Sequence, residues 1–501
     1  MNVFDFLFSD SKILDKYLVL GPKESISYRQ IYQDSIRLAN YLKNKIGEEK
    51  HIILASENSV FFITAYLGIL KSGHICIPID PTIEQSNLDY IIRSTESDCI
   101  IYSNRFNKLS STSALNQIDE SQLGDIIKYQ TLNGSAFSDS IDRNKVAEIL
   151  FTSGSTGIPK GVIISHQNII ANTNSILSYL NLGAKDIMGV VLPFYYCYGL
   201  SLLHTHIKVG ASLVLINNFI FLASVIDNLK EYKCTGFAGV PSHFQILLKK
   251  SETFRNTVFP ELRYVTQAGG KLHDMFIKDF INTFPNIQFF VMYGQTEATA
   301  RLSYLPPDKL REKIGSIGKA IPGVTLSVLD EVGNKVNPGK IGEIVASGDN
   351  IMQGYYKDDE GTRSVLKDGY LYTGDLGKLD EDSFIFLESR KKEIIKVGGK
   401  RVSPKEIEAV ILSITEVIDC TIESVYDDLL GESIKASIVL NKSSNQEKIK
   451  EEIIRLCHHK LLAYKIPKFW SIEKNLNLSL TGKKIKNQYK GQTYTINHEI
   501  P

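Results

Sequence analysis

Short apolar runs alternate with segments of helical period through most of the chain. Runs that read as buried strands lie at 51–56, 99–103, 148–152, 186–193, 212–216, 236–241, 264–268 and 287–293, and helical periodicity marks 59–71, 168–180, 221–230 and 274–283. Such alternation predicts layered α/β architecture with parallel sheets. From Leu326 onward the runs shorten and Gly-Asn, Pro-Gly and Asp-Gly turns multiply, predicting a small β-rich subdomain. After Arg390 a helix over 404–412 and a hairpin over 417–440 predict a further α+β unit. The Ser-, Asn- and Asp-rich stretch 104–145 reads as a surface excursion inside the large domain. The expected fold is a large N-terminal domain of layered α/β subdomains with the β-rich subdomain (1–389), a hinge (390–392) and a small mobile α+β C-terminal domain (393–501).

Composition changes this picture little. At 501 residues the chain exceeds what one core organises, and 43% hydrophobic with 23% charged residues is globular rather than fibrous or disordered. A formal net charge of +1 argues against nucleic acid as a partner. The six cysteines stand far apart in sequence, which excludes a CxxC pair and suggests reduced, buried thiols in a cytoplasmic protein. The apolar stretches 60–70 and 190–203 are too short to span a bilayer, and Asp5 interrupts the apolar start of the chain, so neither a membrane span nor a signal peptide is expected.

The chemistry concentrates in Thr152-Ser153-Gly154-Ser155-Thr156-Gly157-Ile-Pro-Lys160-Gly, which follows a buried strand. Glycines let backbone N–H groups turn towards one point, hydroxyls add donors and Lys160 adds charge, a combination suited to polyphosphate. It is not the P-loop of NTPases, because Gly161 rather than Lys-Ser/Thr ends the pattern. Four further segments follow in order: Tyr293-Gly294-Gln295-Thr296-Glu297, Tyr372-Thr-Gly-Asp375, the run from Arg390 to Glu408 with Gly398-Gly399 inside it, and Thr481-Gly-Lys483.

Together these motifs resemble the adenylate-forming (AMP-binding) enzyme superfamily, which includes acyl- and aryl-CoA synthetases, peptide-synthetase adenylation domains and beetle luciferases. The resemblance spans nearly the whole chain. Two positions depart from the family pattern: Ser389 precedes Arg390 where glycine is usual, and Asn477 stands where the C-terminal motif usually begins with proline.

The resemblance implies an ATP-dependent acid–thiol ligase that first makes acyl-AMP and pyrophosphate and then passes the acyl group to coenzyme A. The phosphopantetheine of a separate acyl carrier protein is the alternative acceptor, and a non-catalytic nucleotide-binding relative the alternative class. It places Thr152 to Gly157 and Lys160 at the phosphates, and Ala268, Gly269, Gly270, Tyr293, Gly294, Gln295 and Thr296 around the adenine. Asp375 and Arg390 fall at the ribose, and Tyr195, Tyr196, Phe237, Gly239, Gln267 and Met292 around the acyl group. Lys392 becomes the hinge and Gly398-Gly399 the lining of a pantetheine tunnel.

The residue types agree with these roles. Driving a carboxylate onto the α-phosphate of ATP joins two anions, so the site must supply positive charge and fixed geometry. Glu297 suits Mg²⁺ held against phosphate oxygens, with Thr152 beside it as a donor. Lys483 suits the developing charge between phosphate and carboxylate, and Asp375 accepts two hydroxyl donors at once. Alone, Glu297 reads as well as a helix-start carboxylate, Asp375 as a turn residue and Lys483 as solvated surface charge. No aspartate lies in 194–199 to pair a substrate ammonium, which disfavours an α-amino acid; tyrosine and methionine linings suit an aliphatic or aromatic acid.

Overall fold

The computed structural model describes residues 1–21, 24–106, 115–132, 142–152, 159–427, 431–441 and 446–473. Three sheets organise them. The first has seven strands. His51–Ala55 lies between Ile75–Ile79 and Cys99–Tyr102, all parallel, because short buried β-branched runs joined by helices cross over in one direction. Val146–Thr152 joins Ile75–Ile79 in parallel and then pairs antiparallel with Lys160–Ser165. The glycine loop thus connects two strands, and the helix His166–Leu180 begins only after the second.

The second sheet has a parallel centre of Ser212–Leu215, Ile187–Val190, Gly236–Gly239, Tyr264–Gln267 and Gln288–Tyr293. Antiparallel strands extend it without a break, from Ser303–Leu305 and Ser316–Ala320 through Ile385–Arg390 and Tyr370–Leu379 to Gly342–Gly348 and Val324–Leu329. The turn-rich region expected as a β subdomain is thus hydrogen-bonded into the same ladder. The surface excursion also contributes structure. Asn116–Ile118 extends the edge of the first sheet, and the helix Glu120–Tyr129 opens with an Asp119–Gln122 capping box.

A third sheet, Ile395–Val397, Lys400–Val402, Val417–Asp427, Gly431–Leu440 and Phe469–Glu473, forms the small C-terminal domain around its own core of Ile395, Val402, Ile407, Ile411 and Ile438. The main core is shared between the first two sheets and the helices Val60–Ser72, His166–Leu180 and Cys197–Lys208 packed between them. All six cysteines are free and buried. Among the described residues no helix is long and apolar enough to cross a membrane.

Candidate active site

The strands Val146–Thr152 and Lys160–Ser165 form a hairpin in which Thr152 faces Lys160 across the ladder, so the two ends of the glycine loop are pinned together. Thr152 is half-buried and its Oγ1 lies 3.5 Å from the Lys160 carbonyl. Ser153, Gly154, Ser155, Thr156 and Gly157 lie outside the described residues, as does Lys483.

Lys160 meets two residues from a distant segment. The short strand Gly354–Tyr355 pairs with Val162 and Ile163. That pairing puts Asp358 Oδ2 2.8 Å from Lys160 Nζ, with the ammonium 4.7 Å from the centre of the Tyr355 ring. The Lys160 hydrogen bond holds the Asp358 carboxyl below the usual range, helped by the Gly361 N–H that Asp358 accepts as the cap of Asp359–Val365. Tyr355 Oη donates to Glu297 Oε1 at 2.8 Å, and burial raises its phenol above the ordinary value.

Glu297 stands in a single 3₁₀ turn, Thr296–Ala298, beyond the end of Gln288–Tyr293. It is half-buried, and one carboxylate oxygen is engaged by Tyr355. Among the described residues no cluster of three or more His, Cys, Asp or Glu forms a self-sufficient metal cage. One carboxylate with spare acceptor capacity, linked through Tyr355 to Lys160, nevertheless fits Mg²⁺, which keeps several waters and uses substrate phosphates as ligands.

Asp375 and Arg390, the two residues expected at the ribose, are paired with each other. In the ladder between Tyr370–Leu379 and Ile385–Arg390, Asp375 is opposite Arg390, and Arg390 Nε donates to Asp375 Oδ1 at 3.0 Å. Tyr293 Oη donates to Asp375 Oδ2 at 2.8 Å. Burial raises the Asp375 carboxyl while Arg390 opposes the rise. Tyr293, which donates to Asp375, ends the strand that Glu297 follows by four residues, so the two groups stand at the same strand end. Gly374 has φ 75° and its N–H donates to Glu343 Oε1, so the Thr-Gly-Asp stretch forms an irregularity inside the strand Tyr370–Leu379 where the pairing register shifts.

On the adenine side, Ala268 N–H donates to the Gly239 carbonyl and Gly269 has φ 83°. Gln267 Nε2 donates to the Gly270 carbonyl at 2.8 Å. Gly294 is required sterically: a Cβ there would stand 2.0 Å from the Ala300 carbonyl oxygen. Gln295 precedes the 3₁₀ turn, and Thr296 Oγ1 lies 3.5 Å from Cys197 Sγ.

The residues expected around the acyl group are divided between the two faces of the sheet. Sheet register places Phe290 opposite Thr266 and Thr266 opposite Ala238, so these and Met292 share one face, towards the main core. Phe237, Gly239 and Gln267 belong to the other face, where Phe237 meets Phe244 edge-on at 6.1 Å. Tyr195 turns to Asp80 at the end of Ile75–Ile79, and Tyr196 precedes the helix Cys197–Lys208. Of the expected lining, Met292, Tyr195 and Tyr196 lie against the main core. There Tyr179 Oη lies 3.3 Å from Met292 Sδ, Tyr198 Oη donates to Thr266, and the Arg301 guanidinium lies 4.7 Å from the Tyr198 ring centre. Tyr198 stood in the aromatic segment 194–199 and was passed over. Thr266 and Arg301 carried no signal, because a strand's inward face cannot be read from one short run.

The expected hinge residue Lys392 lies in a single 3₁₀ turn, Lys391–Glu393, between the second and third sheets. Gly398 and Gly399, with φ 53° and 78°, make the two-residue turn of the hairpin Ile395–Val397/Lys400–Val402, a type I′ signature that itself demands glycine. The small domain touches the large one through Ser403 Oγ to the Glu388 carbonyl, and through Arg401 to Glu331.

Comparison with known proteins agrees with this arrangement. The model of the AMP-binding enzyme family matches residues 10–356, and that of the AMP-binding enzyme C-terminal domain matches 406–483. A long-chain-fatty-acid–CoA ligase of Bacillus subtilis (strain 168) is 26% identical, the alignment covering 98% of this chain and 94% of the relative. An anthranilate CoA ligase in complex with anthranoyl-AMP superposes with a TM-score of 0.88 at 23% identity, covering 97% of this chain and 95% of the other. The o-succinylbenzoate coenzyme A synthetase of Bacillus subtilis with ATP and magnesium superposes with a TM-score of 0.83 at 22% identity, covering 97% and 98%.

Proposed function

This chain belongs to the AMP-binding enzyme family, and from that premise we propose that it is an ATP-dependent, AMP-forming acid–CoA ligase. The observation that carries the reading is the meeting of Thr152, Lys160, Glu297, Asp375 and Arg390, from four separated segments, at one site. The names of the relatives, all ligases of carboxylic acids to CoA, support CoA rather than a carrier protein as acceptor.

In the first step a carboxylate oxygen of the acid attacks the α-phosphorus of ATP, and the bond to pyrophosphate breaks. Lys160 and the loop N–H groups hold the phosphates, and Asp375 with Arg390 fixes the ribose. Glu297 would hold Mg²⁺, which when bound supplies charge neutralisation between phosphate oxygens. Lys483 meets the charge that develops as the two anions join. In the second step the thiol sulfur of CoA, having lost its proton, attacks the acyl carbon and AMP leaves. We place the pivot between the steps at Lys392, with 1–389 and 393–501 as the moving bodies. Lys392 lies in the short link between two separately cored sheets, which supports that choice. The free, buried thiols support a reducing, cytoplasmic setting.

The test is pyrophosphate release across a panel of carboxylic acids, repeated with CoA and with a holo carrier protein. Acid-dependent release with thioester on CoA is the expected result. No release with any acid would favour a nucleotide-binding relative without catalysis.

A further inference from the structure

Arg301 is the most deeply buried arginine side chain of the second sheet's rim, with 2% of its surface exposed. Its backbone is fixed: the carbonyl accepts from Asn172 Nδ2 at 3.2 Å and from Asn350 Nδ2 at 2.8 Å. Its guanidinium lies over the Tyr198 ring and hydrogen-bonds the Tyr179 hydroxyl oxygen, a neutral partner. Its Nε has no hydrogen-bond partner, and among the described residues no carboxylate forms an ion pair with it. Of the carboxylates nearest in the site, Asp375 accepts from Tyr293 and Arg390, and Glu297 accepts from Tyr355 at one oxygen, and neither is ion-paired with Arg301.

A guanidinium cannot shed its proton to relieve burial, and ring stacking returns only part of the lost hydration. A buried cation without a counter-charge is costly, and the cost is recovered when an anion with matching geometry arrives. Arg301 stands beside the candidate active site. It lies four residues beyond Glu297, its Cα abuts Gly294, and it shares the core-facing side with Tyr198, Thr266, Tyr179 and Met292.

We propose that Arg301 selects the acid, and that the substrate is a dicarboxylic acid: one carboxylate is activated and the second pairs with the Arg301 guanidinium. This rests on the ligase reading above. A carboxylate is favoured over a neutral acceptor because it alone cancels the charge, and its two oxygens match the guanidinium fork. The reacting carboxylate is a poorer partner, since holding it against a buried cation would weaken its attack on phosphorus. The same cation repels an ammonium, which agrees with the missing aspartate in 194–199.

The experiment compares matched acids that differ only in the second carboxylate, adipate against hexanoate and isophthalate against benzoate, with the full chain. Pyrophosphate release is measured for the natural protein, Arg301→Met and Arg301→Lys. The expected result is a diacid preference of at least about tenfold in kcat/KM. Arg301→Met should abolish that preference, mainly through KM, while leaving or improving activity on the monoacid, and Arg301→Lys should restore part of it. Preference of the natural protein for monoacids would overturn the proposal, as would equal loss on both acids in Arg301→Met, which would assign Arg301 to the reacting carboxylate. Release with any acid upholds the ligase reading whatever the ratio. A second arm is independent of catalysis and of the variants' folding. In the natural protein without ATP, so that no acyl-AMP can form, a diacid should raise the melting temperature more than its monoacid partner, and equal shifts would also overturn the proposal.

Discussion

The nucleotide side and the interior beneath it hold ionisable groups in opposite ways. On the nucleotide side, Lys160 pairs with Asp358 and Asp375 with Arg390, and three of these four side chains keep a third or more of their surface exposed. Beneath it, Glu148 on the phosphate-loop strand and His204 on the helix Cys197–Lys208 are fully enclosed and share one partner, Tyr66, at 2.8 Å from each. Burial pushes the Glu148 carboxyl up to about 7 and the His204 imidazole down to about 3. Charges at the rim are balanced before a ligand arrives, at little desolvation cost. Acids and bases in the interior are stable by staying neutral. Arg301 has neither option within the chain, which is why it points to the substrate.

The largest expected effect tests the rim. Lys483→Ala should slow acyl-AMP formation about a hundred- to thousandfold, equivalent to about 3–4 kcal/mol, while thioester formation from supplied acyl-AMP persists. Single-turnover assays of the two half-reactions measure this, and equal loss in both would remove Lys483 from the first step.

The interior is tested by the pH dependence of stability. The folded state binds a proton at Glu148 that the unfolded chain releases above the ordinary value of 4.5, so this group's contribution falls as pH rises from there to about 7. His204 works in reverse: between about 3 and 6.5 the unfolded chain binds the extra proton, so its contribution rises with pH. The two oppose each other where the windows overlap. Compared with the natural protein, Glu148→Gln should therefore make stability rise more steeply with pH across its window. His204→Gln should make it fall more steeply, each by up to about 1.4 kcal/mol per pH unit. Urea denaturation from pH 4.5 to 7 reads the slopes, and changes of the same sign in both variants would refute the neutral interior.

Smaller effects separate motion from charge. Lys392→Pro should leave adenylation nearly normal and slow thioester release at least about tenfold, some 1.4 kcal/mol, because proline fixes φ at the link. Unchanged release in single-turnover comparison would move the pivot, with Ser389 next to test. Asp358→Asn should cost no more than about 1 kcal/mol of stability and shift the KM for ATP less than about fivefold, since the Lys160 pair is part-exposed and asparagine still caps the following helix. A loss above about 2 kcal/mol by thermal melting would show the pair to be structural support.

The nucleotide side was largely legible from the chain alone. Glu297, Asp375 and Arg390 sit in local motifs whose backbone geometry is itself encoded, by Gly294 and Gly374 in particular. Tyr355 and Asp358 were not legible, because they reach Lys160 only through the pairing of Gly354–Tyr355 with Val162 and Ile163, nearly two hundred positions away. Nor was the division of the residues expected around the acyl group: a shift of one position in a period-two element reverses the face, which separates Phe237 and Gln267 from Met292.

What the amino-acid sequence determined by itself is therefore local. Apolar periodicity specified most strands and helices, glycines specified the turns at Gly294 and Gly398-Gly399, and spacing specified which reactive groups follow a strand end. Tertiary structure decided which of those groups meet. It set the face of each strand through register, merged the turn-rich region with the parallel sheet, and enclosed Arg301 and Glu148 where water cannot reach them. The reason is physical: turn and helix preferences arise from backbone sterics within a few residues, whereas desolvation and charge pairing depend on neighbours that only folding supplies.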